Sequence, residues 1–204
     1  MIRTPESLSE CDSAPAAVAA LSSWFCSRQT WLGTIEAVEP IEVPSPYHGL
    51  LVHHEHMTTI LQTFYGRGVA LQVLREHREA DLYTRAVLLT LGAAKRVVEF
   101  GIARVDLALT SAAVREEILQ RRTPLGDILI RYDVLRRIDP KWYFRMDRDS
   151  PLLDDGGRGR SAHAYGRVGV ISFEGRPAIE LIEIVLDADG PDESDADSDR
   201  VVRR

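Results

Sequence analysis

The sequence predicts an α+β fold, an antiparallel sheet of about six strands with helices on one side. Three observations lead there. The strand-like runs are short and rich in Val, Ile and Leu, they are joined mostly by short Gly-containing turns, and the helical stretches gather in two places. Parallel strands need crossovers of a dozen or more residues, so a doubly wound nucleotide-binding sheet is not expected.

Each element has its own signal. Ser13 is placed to cap a first helix, Pro15 lies in its first turn, and Val18, Leu21 and Phe25 make an apolar stripe. Gln29 to Gly49 reads as irregular with one short strand. Met57, Ile60, Leu61 and Phe64 line one face of a second helix, which Gly66 ends. Strands follow over Val69 to Glu76, Leu82 to Thr90 and Val97 to Leu109. Ser111 caps a helix through Gln120, and Thr123-Pro124 opens a short one through Ile130. Arg131 to Met146 is extended, with an interruption at Asp139-Pro140. Asp154 to Arg160 is a Gly-rich loop, lacking the lysine and helix start of a phosphate-binding P-loop. Tyr165 to Phe173 and Pro177 to Leu186 form a hairpin across Glu174-Gly175-Arg176.

Composition narrows the class. With 45% apolar and 27% charged residues over 204 positions, the chain suits one globular domain, expected over residues 1–187. The formal charge of −6 is local: residues 187–204 hold seven acids and three arginines, and the remainder has 24 acids against 22 bases. The folded part therefore has no basic field for nucleic acid. The Asp- and Ser-rich segment 188–204 has little to bury and is expected to be disordered. No run approaches the ~20 apolar residues of a membrane span. The early run Ala14 to Leu21 follows Glu6, Glu10 and Asp12, the wrong charge for a signal peptide. Cys11 and Cys26 form no C-x-x-C pair, in keeping with a reducing, cytoplasmic setting.

Four local patterns in order carry a likeness over about residues 50–187. They are His56-Met57-Thr58 opening a helix, Tyr83-Thr84-Arg85 in a strand, Thr123-Pro124-Leu125-Gly126 opening a helix, and Gly175-Arg176-Pro177 leading to Glu183-Ile184-Val185-Leu186. Together they resemble the chorismate pyruvate-lyase superfamily, whose enzymes form 4-hydroxybenzoate. The resemblance implies an antiparallel sheet with an aromatic ligand beneath helical flaps. It implies that Arg85 binds the ring carboxylate, that Glu183 meets the ring oxygen at the opposite end, and that Met57 and Leu125 complete the pocket. It further implies a cofactor-free carbon–oxygen lyase that removes pyruvate from chorismate or a close analogue, with Arg85 and Glu183 catalytic. The alternative is a non-catalytic domain of the same fold that binds a small aromatic or cyclohexadienyl carboxylate. The lyases carry an arginine after the glycine of the long central strand, whereas here Gly101 is followed by Ile102.

The residues have readings of their own. Arg85 shares a strand face with Tyr83, Val87 and Leu89, where an unpaired guanidinium is costly, so it needs an anion. That anion is either a core glutamate or a ligand carboxylate, which guanidinium grips in bidentate fashion. Glu183, among Ile179, Leu181 and Val185, either neutralises Arg85 in the empty protein or serves as a proton donor of raised pKa, and the two roles are compatible. Glu180 points the other way, toward solvent. Arg104 reads as a surface ion pair with Asp106 or a neighbouring strand, and Arg167 as an edge charge. His53, His54 and His56 lack the spacing of a metal site, so no metal or other cofactor is expected. One of them is expected to pack beside Met57 at the pocket mouth.

Overall fold

The computed structural model describes residues 7–24, 33–92, 95–150, 153 and 162–190. The elements in chain order are α1 (Ala14–Ser22), β1 (Ile35–Val38), α2 (Tyr47–Leu51), α3 (Met57–Tyr65), β2 (Val69–Glu79) and β3 (Leu82–Leu91). Then come β4 (Arg96–Asp106), α4 (Ala112–Gln120), α5 (Leu125–Arg131), β5 (Arg136–Asp147), β6 (His163–Phe173) and β7 (Arg176–Val185). Among the described residues the strands form one antiparallel sheet in the order β1-β5-β6-β7-β4-β3-β2.

The chain topology follows from turn length. Tight turns keep β2, β3 and β4 adjacent, and Glu174 (φ 49°) with Gly175 (φ 79°) closes β6 onto β7. Two positive φ values in succession match the twist of a two-residue hairpin. The long connection from β4 to β5 carries α4 and α5 and passes over β7 and β6. Side chains of α4 and α5 thereby roof the same face as α2 and α3.

That face holds two apolar clusters. Val114 and Ile118 of α4 and Ile128 and Leu129 of α5 pack on Tyr83, Val105, Ile179 and Leu181. Leu50 and Leu51 of α2 and Met57, Leu61 and Tyr65 of α3 pack on Leu89, Val98 and Val185. Burying a side chain of this size stabilises the fold by about 1.5–3 kcal/mol. A cavity lies at the seam between the clusters.

The expectation of helices on one side holds for α2 to α5 and is corrected for α1. Ala14, Ala17, Val18 and Leu21 are fully buried against Phe100, Ile102, Val168, Ile182 and Ile184, on the opposite face of the sheet. Strands β4, β6 and β7 alternate between apolar residues on both faces, so both need cover. Ser13 stands at the N-cap of α1 without a capping hydrogen bond, and its hydroxyl donates instead to Asp12 Oδ1. Phe25 lies outside the described residues.

Other boundaries shift for local reasons. The irregular stretch before residue 50 contains α2 as well as β1, and β1 brings the strand count to seven among the described residues. The run ending at Leu109 leaves the sheet early, since the Asp106 carboxylate accepts from Ala108 N and caps a 3₁₀ turn over Leu107–Leu109. The extended run assigned from Arg131 starts at Arg136, and Arg131 ends α5. Pro140 stands at a register shift between Pro140 and Trp142, the kind of irregularity at which a strand tolerates proline. Helix α3 ends at Gly66, whose φ of 67° is the left-handed cap expected of that glycine. Residues 154–160 and 191–204 lie outside the described residues. Asp187, at the start of the acidic stretch, is held by Arg96 at 2.6 Å.

Candidate functional site

Antiparallel register sets the site out as a grid on the roofed face. Arg85 pairs with Ala103 and Ala103 with Leu181; Val87 with Gly101 and Gly101 with Glu183; Leu89 with Glu99 and Glu99 with Val185. Glu183 in turn pairs with Arg167 on β6. Alternation puts all these side chains on one face. A cavity of about 70 Å³ lies above them, with Val87 and Gly101 in its floor and Met57, Thr58, Leu125 and Gly126 in its roof. Arg85 and Glu183 both line it, so the four residues singled out from the sequence meet at one enclosure.

The roof depends on a close approach of α3 and α5. A Cβ on Gly126 would lie 2.9 Å from His56 Cβ and 3.0 Å from Thr58 Oγ1, distances that backbone must shift to relieve. His56, at the N-cap of α3, is buried and accepts from Arg136 Nε. It is the histidine beside Met57 at the cavity.

Arg85 is 2% exposed, and its Nη1 has no hydrogen-bond partner. Among the described residues no carboxylate forms an ion pair with it. Desolvation pushes its pKa down, with Tyr83 and Glu76 offsetting this only in part. The Tyr83 hydroxyl is itself committed to Glu76 Oε2 at 2.8 Å. A buried guanidinium with no carboxylate on it in a cavity wall is unusual, because its desolvation is compensated only in part.

The expected neutralisation of Arg85 by Glu183 is not formed. Arg167 Nε donates to Glu183 Oε2 at 2.5 Å from the neighbouring strand. Arg167 is no edge charge either: it is 1% exposed. Its other nitrogens donate to the carbonyls of Leu51 (3.0 Å), His53 (2.9 Å) and Glu55 (3.2 Å). One side chain thus fixes both the Glu183 carboxylate and the segment entering the roof.

Glu99 was missed by the sequence reading. It is 3% exposed, lines the cavity, and its Oε2 has no hydrogen-bond partner. Burial raises its pKa well above the ordinary carboxylate range, the nearby Glu183 raises it further, and Arg167 opposes both. Glu99 therefore holds its proton more tightly than an ordinary carboxyl. The signal was present in Glu99-Phe100-Gly101, where alternation puts Glu99 on the face of Gly101 and Ala103.

The other charged positions are structural. Arg104 is 3% exposed and donates to Glu180 Oε2 at 2.6 Å, so its partner is on the neighbouring strand and the pair is buried rather than superficial. Glu180 is not free in solvent: its Oε1 accepts from Ser7 Oγ at 2.9 Å and Leu8 N at 2.8 Å. Ile102, where the lyases carry arginine, packs into the core beneath α1.

The histidine-rich segment is tied to protein atoms. His53 Nε2 bonds Leu50 O at 2.8 Å and its Nδ1 meets Arg167 Nη1 at 3.1 Å, while His54 Nδ1 bonds Ile138 O at 3.0 Å. Burial and then Arg167 push the His53 pKa down to about 4; burial and then Arg136 do the same for His56. Among the described residues no group of three or more His, Cys, Asp or Glu is arranged to hold a metal ion. No helix among them is long and apolar enough to cross a membrane.

The fold is α+β with a seven-stranded antiparallel sheet among the described residues, and the site is a small, roofed cavity with a buried cation in its wall. No protein-family model matches the sequence, and no curated protein matches it. Among solved structures, the chain is similar to PhnF from Mycobacterium smegmatis, with a TM-score of 0.51 at 9% identity. That likeness covers 66% of this chain and 65% of PhnF, and at such identity it shows the fold alone. Looser likenesses are a domain described as the ligand-binding domain of a GntR-family transcriptional regulator from Bordetella bronchiseptica, and a GntR-family transcriptional regulator from Bacillus cereus. The first has a TM-score of 0.45 at 12% identity over 60% of this chain and 87% of that one. The second has 0.41 at 10% over 61% and 96%.

Proposed function

We propose that this chain is a small-molecule binding domain that takes the carboxylate of a small, aromatic-type acid on Arg85 and acts as a sensor or carrier rather than a lyase. The observation that carries the reading is Arg85 itself. Its guanidinium lines the cavity, is 2% exposed, and has an Nη1 without a partner. A ligand carboxylate would supply the two parallel charge-assisted hydrogen bonds that guanidinium favours, at a side chain already buried.

Two features weigh against turnover. Glu183, the residue expected to meet the departing oxygen, is engaged by Arg167, and the additional arginine of the lyases is replaced by the buried Ile102. The cavity volume of about 70 Å³ is roughly half that of an engineered cavity that binds benzene. An aromatic acid therefore enters as the α3 and α5 roof lifts, and binding is coupled to that movement.

One observation favours the lyase reading. Glu99 lines the cavity wall with its pKa pushed well above the carboxylate range by burial, and such a group suits giving a proton to a leaving enolate oxygen. Both readings meet in one experiment. Purified protein is incubated with chorismate and assayed for 4-hydroxybenzoate and pyruvate, and benzoate and 4-hydroxybenzoate are titrated into wild type and Arg85→Ala by calorimetry. Binding abolished in Arg85→Ala, with no product from chorismate, is the expected result. Product that depends on Glu99 or Glu183 would establish the lyase, and ligand binding indifferent to Arg85 would remove the carboxylate reading.

A further inference from the structure

We propose that Glu99 sets the charge of the ligand, restricting the cavity to monoanions whose end remote from the carboxylate is a neutral hydrogen-bonding oxygen. This rests on the reading of Arg85 as the carboxylate site and deepens it.

The grid supplies the geometry. Ala103 pairs with Arg85, and Glu99 stands four residues along β4, about 13 Å at the usual rise per residue. Arg85 and Glu99 thus leave the sheet at opposite ends of the grid, with Gly101 between their backbone positions. A Cβ on Gly101 would lie 3.3 Å from Val87 Cγ2 and 3.4 Å from Glu99 Oε1, so the Glu99 carboxyl sits low over that glycine. The carboxyl thus reaches back from its own strand position toward the Arg85 end and faces the ligand space over that glycine.

Charge at the Glu99 end is already in balance. Glu183 is diagonal to Glu99 across the β4–β7 pairing, and its carboxylate is matched by Arg167. His56, also in the wall, is neutral above about pH 4. An ionised Glu99 would be a second, unmatched buried anion beside Glu183, so burial and that neighbour both favour its protonated form. In that form it offers one O–H and an accepting oxygen. A ligand hydroxyl or carbonyl oxygen satisfies the unpartnered group. Among the described residues a second ligand carboxylate would meet no unengaged cation there, and it would crowd two glutamates.

The matched probes are benzoate, 4-hydroxybenzoate, terephthalate and 4-(aminomethyl)benzoate, titrated into wild type, Arg85→Ala and Glu99→Ala. In wild type, 4-hydroxybenzoate binds about tenfold more tightly than benzoate, as one satisfied buried hydrogen bond allows, and terephthalate binds at least tenfold more weakly than 4-hydroxybenzoate. The advantage of the hydroxyl disappears in Glu99→Ala, and all binding disappears in Arg85→Ala. Independently of any ligand, the infrared difference between wild type and Glu99→Gln at pH 7 contains the carbonyl band of a protonated carboxylic acid. Terephthalate binding as tightly as 4-hydroxybenzoate, preference for the amine, or absence of that band overturns the proposal. If the band is present and no probe binds in an Arg85-dependent way, the carboxylate reading of the cavity fails, and the ligand preference fails with it.

Discussion

Arg167 donates to Glu183 at 2.5 Å from one side, and Arg85, facing the same cavity from the other, is left without a carboxylate. The protein thus satisfies one buried arginine of the site with its own glutamate and leaves the second for something else. This unequal division is the physical basis of the binding reading.

Arg85→Met should stabilise the ligand-free protein. The charge is buried and unpaired, and apolar replacement of buried ions is often neutral or stabilising by about 1–4 kcal/mol. The same change should abolish carboxylate binding. Denaturant midpoints without ligand, set beside calorimetric titration, read the two opposite signs; a fall in stability would mean that Arg85 has an internal partner.

Arg167→Met should have the contrary effect and destabilise the fold by about 3–5 kcal/mol, because it strands the Glu183 carboxylate and frees three backbone carbonyls. Hydrogen exchange should quicken first in residues 51–56. Uniform change across the sheet, with that segment still protected, would show that Arg167 is not its anchor.

Gly126→Ala forces a methyl against His56 and Thr58, and overpacking of this kind costs about 1–3 kcal/mol. The strain falls between α3 and α5, so ligand association should be faster even as the thermal midpoint drops. Stopped-flow binding together with calorimetry tests both.

Stability should respond to pH in two windows of opposite sign. His53 and His56 titrate near 4 when folded and near 6.5 when unfolded. Between these values the unfolded chain binds more protons, so their contribution is present above about 6.5 and is lost as pH falls through about 4. Glu99 is shifted upward, so its contribution is full below the unfolded value of about 4.3 and is lost as pH rises through the folded one. The advantage of Glu99→Gln over wild type should therefore widen as pH rises above about 4.3, and His56→Gln should be less sensitive to acid than wild type. Urea midpoints measured from pH 4 to 8 decide it; a gap between Glu99→Gln and wild type that stays constant would mean that Glu99 is ionised throughout.

Much of the architecture was legible because its causes are local. Period-two alternation fixed which residues of β3, β4 and β7 share a face, Gly66 and Ser111 marked helix ends, and Glu174-Gly175 marked the last hairpin. Those signals depend only on neighbours within a few residues. They brought Arg85 and Glu183 to the roofed face, while Met57 and Leu125 came from the resemblance in sequence.

Tertiary structure decided the partnerships, since strand order is not written in any one strand. Arg167 looked like an edge charge until β6 was found between β5 and β7, where both its faces are covered. Glu99 acquires its raised pKa only where pairing sets it diagonal to Glu183 and burial takes it out of water. The side of the sheet taken by α1 was likewise fixed by which face the later helices left bare. The sequence alone determined which side chains could meet on a face. Only the fold determined which charges were matched there, because the energy of a buried charge depends on neighbours brought from distant parts of the chain.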